Sequence, residues 1–273
     1  MSEKVFVDLG NVQKTLFLPL WGRAHETQKP NPLLVDMKAL EIIEKVDYDF
    51  STITKNINEM SQMAWIMRSI SVDKVVAGFL EKHPRATIVN IGCGLDTTFD
   101  RVDNGTLSWY DLDLPDVIDL RKKFIPESER RKYISSSFLE DGWHKEIRTG
   151  DNALFIAAGV FYFFIEEEIK GFLKKLADRF PGSEIIFDVS SPTGVKVANK
   201  KVIESAGLDQ KSYLTWGLEN TKDILTWDER FRILRTIYYY KDKRINLKLR
   251  LIGLLSDFLR IQYMVHLELG KRQ

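Results

Sequence analysis

The chain has 273 residues, with 40 Lys+Arg against 39 Asp+Glu and a formal net charge of +1. That balance predicts neither a nucleic acid nor a membrane surface as partner, since both need a basic excess. A single cysteine, Cys93, excludes an intrachain disulfide and a cysteine-cluster zinc site and points to a reducing compartment.

The opening MSEKVFVDLGN lacks the apolar core of a secretory leader. The longest apolar run, 13 residues from Ala153 to Ile165, is shorter than the roughly 20 a spanning helix needs. A cytoplasmic location is expected. Residues 1–83 read as an N-terminal helical cap, with a polar, proline-bearing loop HETQKPNP at 25–32. Helix follows over 61–83, where Met63, Met67, Ile70, Val76, Phe79 and Leu80 recur at helical spacings until Pro84.

From residue 84 strand and helix alternate. ATIVNI at 86–91 and LSWYDLD at 107–113 read as strands, and Pro115 opens a helix with Val117, Leu120 and Phe124 on one face. KYISSS at 132–137 is a short third strand, ALFIAAGVF at 153–161 a buried fourth and EIIFDV at 184–189 a fifth, with a helix at 166–180 between the last two. Residues 84–190 thus form the core. Residues 190–230 read as a substrate-side insertion over the sheet, and 231–273 as closing elements: a strand at 231–240, a helix near 245–260 and a strand from Ile261 to Leu269. KDKRINLKLR at 241–250 reads as a solvated helix face. The alternation predicts an α/β fold, a doubly wound, Rossmann-like sheet in one domain over 1–273.

In such sheets ligands sit beyond the carboxyl ends of the strands. The first strand runs into Gly92-Cys93-Gly94, where a missing Cβ lets backbone approach a ligand. The second ends at Asp113, twenty-one residues after Gly92, where an acid can accept both hydroxyls of a ribose. Together they imply a cofactor that contains adenosine; without a ligand the same residues make a structural turn beside a surface aspartate. Thr97 replaces the third glycine of a dinucleotide fingerprint, and Asp96 sets a carboxylate where two phosphates would lie. A nicotinamide dinucleotide is therefore disfavoured. S-adenosyl-L-methionine, with no phosphate and a cationic amine and sulfonium, suits the turn. No metal is expected.

VNIGCGLDTTFDRV at 89–102 and WYDLDLPDVIDLRKKF at 109–124 resemble the leucine carboxyl methyltransferase superfamily, in its tetracenomycin polyketide O-methyltransferase branch. The G-x-G-x-D-T turn is the specific part. Stretches 14–50, 64–76 and 155–170 resemble the same branch, so the resemblance covers most of residues 10–190. It implies a class I methyltransferase sheet with a final antiparallel strand. It also implies that Arg68, with Lys14, holds the methionine carboxylate of the cofactor. Gly92 and Gly94 would shape the cofactor turn, with Cys93 and Asp96 in its wall, and Asp113, with Leu114, would take the ribose. Ser137, Phe138 and Leu139, within the stretch 136–141, would flank adenine, with Glu140 or Asp141 accepting from its amine. Ala158 takes a cofactor-binding position where carboxyl methyltransferases of the superfamily often carry a glutamate; the smaller side chain lacks that contact and opens room for substrate.

The expected reaction is O-methylation of a carboxyl or hydroxyl group on a small aromatic or polyketide-like metabolite. A carboxylate needs no general base, whereas a phenol or alcohol does. Three residues are catalytic candidates. Tyr162, with Phe161 and Phe163, follows the fourth strand, where aromatics wall a planar ligand or pack the core. His144 lies in the polar loop DGWHKE, where a solvated histidine is the competing reading. Arg23, near His25, would hold an anionic acceptor. Trp21, Trp216 and Trp227 are further wall candidates. The alternatives are a non-catalytic binder of the same cofactor and a methyltransferase for a protein C-terminal carboxylate. The partner expected is a small-molecule acceptor; oligomeric state is left open.

Overall fold

Strand β1 (Thr87–Ile91) is buried at every position, as a strand covered on both faces must be. It pairs in parallel with β2 (Ser108–Asp113) and β4 (Ala153–Ala157). β3 (Arg131–Ser135) extends the sheet beyond β2, and β5 (Ser183–Val189) beyond β4. β7 (Tyr263–Leu269) returns antiparallel against β5, and β6 (Phe231–Tyr238) forms the edge antiparallel to β7. The order is β3-β2-β1-β4-β5-β7-β6. It is the doubly wound sheet that the alternation predicts, and its last strand is antiparallel, inserted one place in from the edge. The direction of winding reverses between β1 and β4, which places the ligand crevice at the carboxyl end of β1. A computed structural model of the chain describes residues 5–6, 16–51, 58–149, 152–204 and 210–270.

Eight helices are described: α1 (Phe17–Thr27), α2 (Met37–Lys45), α3 (Glu59–Lys82), α4 (Thr98–Val102), α5 (Pro115–Phe124), α6 (Glu166–Arg179), α7 (Pro192–Ala198) and α8 (Leu247–Phe258). Local signals fix their ends. The Asn58 side chain accepts from the Ser61 N–H at the start of α3, and Pro115 occupies the first turn of α5, where its missing N–H costs nothing. Three glutamates open α6, where the helix dipole favours negative charge.

The strands alternate their side chains between two cores. Val89, Leu112, Phe155 and Phe187 face α6 through Ile169, Leu173 and Leu176. Ile88, Trp109, Ile156 and Ile186 face α3 through Ile66, Val76 and Phe79. Phe17, Leu20 and Ile42 on α1 and α2 join Trp65, Leu120 and Phe124 in a third cluster.

Three expectations are corrected. β4 stops at Ala157, because Gly159 turns the chain with φ +82° and a 3-10 turn follows at Phe161–Phe163. Strand does not continue through Phe161. α1 runs on through Thr27, so the loop expected from residue 25 starts later. KDKRIN at 241–246 is a turn, not a helix face; α8 begins at Leu247.

Candidate functional site

The glycine turn after β1 is held from beneath. Gly92 adopts φ +59°, and a Cβ there would lie 2.5 Å from Val160 Cγ2. Below the turn Asp111 and Arg121 form an ion pair at 2.8 Å, both buried. Arg121 Nη1 also donates to the carbonyls of Gly94 and Asp96, at 2.9 and 2.7 Å. Trp109 Nε1 and Asn90 Nδ2 donate to the other Asp111 oxygen at 2.8 and 3.2 Å. With its carbonyls fixed below, the turn aims the Gly94 N–H at Asp113 Oδ2, 2.7 Å away.

Asp113 also accepts the Leu114 N–H at 2.8 Å. Burial outweighs these two donors and pushes its carboxyl up to about 6. Asp96 behaves oppositely. Burial opposes its ionisation, but the charges of Arg23 and Arg101 and the Thr98 N–H prevail and hold it at about 2. Burial pushes the Cys93 thiol well above its ordinary range, which makes it a filler of the turn and not a nucleophile.

A second strap ties the N-terminal helices to this turn. Asp36 caps α2 through the Ala39 N–H at 2.9 Å. Its other oxygen accepts Arg23 Nε at 2.8 Å, Arg101 Nη1 at 2.8 Å and Thr97 Oγ1 at 2.5 Å. Arg101 reaches on to Asp73 at 2.8 Å. Arg23 reaches the cavity wall, but it is 3% exposed and its Nη2 donates to the Leu95 carbonyl at 2.9 Å. Arg23 thus ties the turn to Asp36 while also lining the cavity.

Beyond β4 and β5 a third polar group assembles. Asp188, at the carboxyl end of β5, is fully buried. It accepts the Gly159 N–H at 2.6 Å, Arg68 Nη1 at 3.1 Å and Gln262 Nε2 at 3.3 Å. A Cβ on Gly159 would lie 2.8 Å from Arg68 Nη1, so glycine makes room for the guanidinium. Burial works against the charge on Arg68, but Asp188 and two tyrosines raise it overall. Tyr162 hydroxyl accepts from Gln262 at 3.0 Å and bonds Asp188; burial and that carboxylate push its phenol far above 10. The phenol therefore stays protonated at neutral pH.

Several of these residues line a cavity of about 820 Å³, with Asp188, Arg121 and Asp36 fixing them from behind. Arg68, Gly92, Cys93, Gly94, Asp96 and Asp113 wall its inner end, and Leu114, Ser137, Phe138, Ala158 and Tyr162 also reach it. Leu139 does not. It packs on the core, and beside it Glu140 bonds Ser136 at 3.0 Å while Asp141 points outward to Arg179 and Lys175. Neither acid faces the cavity, which corrects that expectation. His144 also lies outside, on a 3-10 turn, with its pKa lowered by burial and by Arg179. Trp216 and Trp227 are core residues, and Trp21 stacks on His25; none lines the cavity. Lys14 falls outside the described residues.

The outer end differs in chemistry. Phe163, Ile203, Leu214 and Tyr240 are among its walls, with Lys201 at one side. The Tyr162 carbonyl accepts the N–H groups of Thr215 and Trp216, at 2.7 and 3.1 Å, and so anchors the 190–230 stretch here. Sequence reading missed Asp188, Gln262, Asn90 and Arg121. One signal was available: Asp188 is an acid closing an apolar strand at the ligand end of the sheet.

The profile of the leucine carboxyl methyltransferase family matches residues 17–177, more than half the chain. The chain belongs to the leucine carboxyl methyltransferase family. It is an S-adenosyl-L-methionine-dependent methyltransferase. The tetracenomycin polyketide synthesis O-methyltransferase TcmP of Streptomyces glaucescens is 29% identical over 220 residues, 80% of this chain and 79% of that one. The S-adenosyl-L-methionine-dependent methyltransferase dpfgK of Gibberella zeae is 26% identical over 246 residues, covering 82% and 81%. Among solved structures, a Thermobifida fusca protein described as a candidate methyltransferase superposes with TM-score 0.58 at 14% identity, over 92% of this chain and 94% of that one. A DUF574 family protein from Streptomyces avermitilis gives 0.57 at 10%, over 92% and 97%. Both show the shared fold.

Proposed function

We propose that this family member is an O-methyltransferase for a small, largely apolar acceptor that bears a carboxyl or acidic hydroxyl group. The carrying observation is the single cavity, which joins a polar, pre-built inner end to an apolar outer end. The inner end fits S-adenosyl-L-methionine. Asp113 offers two carboxylate oxygens to a ribose diol, and Arg68 offers a guanidinium to a carboxylate beside the Cβ-free Gly159. Ser137, Phe138 and Leu114 offer a flat, mostly apolar slot to a base. Bound there, the cofactor supplies an electrophilic methyl group on a sulfonium.

The remaining work falls to this chain's own residues. The apolar outer wall excludes water and orients the acceptor, which is the main requirement of an in-line displacement at carbon. Tyr162 and Gln262 spend their O–H and N–H groups on each other and on Asp188, so neither is set up as a base. A site without a base there fits an acceptor oxygen that is already ionised near neutral pH, as a carboxylate is. TcmP, a polyketide O-methyltransferase, supports an aromatic polyketide-like acceptor.

Calorimetric titration with S-adenosylmethionine, S-adenosylhomocysteine and NAD tests the inner end. Binding of the two sulfur compounds without NAD is expected, with Arg68→Met weakened by about 10- to 100-fold through loss of a charged hydrogen bond. Labelled-methyl transfer to a panel of aromatic carboxylic acids and phenols tests the outer end. Cofactor binding with no transfer to any acceptor would favour the non-catalytic binder.

A further inference from the structure

Helix α8 reverses the usual amphipathic arrangement. Its inward stripe is Leu249, Gly253 and Asp257, each four residues apart. Gly253 lies against the Tyr240 ring, and the Asp257 carboxylate accepts the N–H groups of Tyr239 and Tyr240 at 3.2 and 3.0 Å. The outward stripe is apolar. Leu247, Leu251 and Leu255 are 62%, 60% and 59% exposed, Phe258 is 79% exposed, and Leu254 lies between them. A contiguous patch of large apolar side chains marks an interaction surface.

Two further observations choose the occupant. First, the patch is continuous with the cavity: Ile252, Leu255 and Leu259 belong to both, and Val197 and Lys201 flank the mouth from α7 and its continuation. Ser191, which caps α7, donates to the Leu259 carbonyl at 3.1 Å and so joins the two helices. Second, the rim is cationic. Residues 239–260 hold six Lys or Arg and two acids. Asp242 and Arg244 pair at 2.8 Å and cancel, Asp257 is buried under the helix, and five cations are left. Lys196 and Lys201 add exposed cations across the mouth.

We propose that α8 and the cavity mouth seat on an anionic lipid bilayer surface, from which the apolar acceptor passes into the cavity. An apolar helix face bordered by Lys and Arg binds such an interface through buried area plus attraction to anionic headgroups. A two-fold pairing of copies would instead set one cationic rim against the other. The total charge of +1 predicts no membrane contact because it averages over the whole chain; the local distribution points the other way. No helix among the described residues is long and apolar enough to cross a membrane, so the contact is a surface one. The seating stands independently of the methyl-transfer reading, and the acceptor's route rests on it.

Full-length protein is mixed with vesicles of phosphatidylcholine, alone or with phosphatidylglycerol, and sedimented. Co-sedimentation with the anionic vesicles is expected, with partitioning about tenfold lower on phosphatidylcholine alone and about tenfold lower for Leu251→Glu/Phe258→Glu. Neither residue lines the cavity, so this variant keeps the wild-type affinity for S-adenosylhomocysteine, which also reports its fold. A Lys243→Glu/Lys248→Glu variant removes no exposed apolar residue and is expected to lose the anionic preference.

Wild-type protein that stays in the supernatant with both vesicle types overturns the proposal. So does vesicle binding that Leu251→Glu/Phe258→Glu retains, or a solution dimer that this variant dissolves. Vesicle binding without S-adenosylhomocysteine binding would sink the methyl-transfer reading and leave the surface standing.

Discussion

At the glycine-turn end of the cavity nearly every polar group has a named partner. Arg121 ties the turn's carbonyls to Asp111, Asp36 gathers Arg23, Thr97 and Arg101, and Asp188 gathers Gly159, Arg68 and Gln262. At the other end Phe163, Ile203 and Leu214 meet the cavity through apolar surface. Hydrogen bonds and ion pairs fix geometry to a few tenths of an ångström, whereas apolar contact fixes volume. The first kind of wall suits one invariant ligand, the second a range of acceptors. The contrast can be broken or sharpened by substitution.

The largest effect is expected at Arg121. Arg121→Leu leaves the buried Asp111 carboxylate with Arg131, at 3.7 Å, in place of its closer partner, and a loss of about 3 kcal/mol in denaturant unfolding follows, the low end for a broken buried pair. A loss well under ~1 kcal/mol would show that the turn does not depend on its buttress.

Next is Asp113→Asn, expected to weaken S-adenosylhomocysteine binding about 10- to 100-fold at pH 8. The wild-type carboxyl sits at about 6 when folded, above its unfolded value. Ionising it therefore opposes folding as pH rises from the ordinary carboxylate range, and the penalty is complete above about pH 6. A ribose diol favours the ionised form, so affinity holds above that pH and declines as pH falls through it. Asp113→Asn removes the decline, and a wild-type affinity that stays flat from pH 8 to 5 would contradict the assignment.

Gly159→Ala is a smaller probe. At φ +82° an alanine is strained by about 1–2 kcal/mol, and its Cβ presses on Arg68. Thermal unfolding and cofactor titration should both register it. The smallest cofactor effect belongs to Leu214→Ala and Phe163→Leu, with S-adenosylhomocysteine affinity held within about twofold while acceptor KM shifts. A strong effect on cofactor binding would mean that the two ends are not separable.

The same division explains what could be read in the sequence. Periodicity made the five parallel strands, α3, α5 and α6 legible, because backbone pairing and burial impose it. The glycine turn and Asp113 were legible because a ligand crevice has a fixed place in this sheet. Arg121 and Asp188 were not, since their partners lie 10 and 120 residues away and no local spacing encodes such a pairing. The end of β4 was hidden because Gly159 sits among apolar residues on both sides. In α8 the helix was visible, but a leucine-rich helix does not announce which face is outside.

The Asp36 junction bears on how this chain can be cut. Composition draws a line near residue 83, with helices before it and the sheet after. Among the bonds that cross that line, the Asp36 carboxylate takes Arg23 from one side and Thr97 and Arg101 from the other. A fragment begun at residue 84 would keep both later donors and lose their acceptor, beside the turn that must hold its shape. Transplanting an N-terminal segment from a relative to change acceptor range would carry a matching requirement. The graft must bring a carboxylate to this point, whatever else it changes.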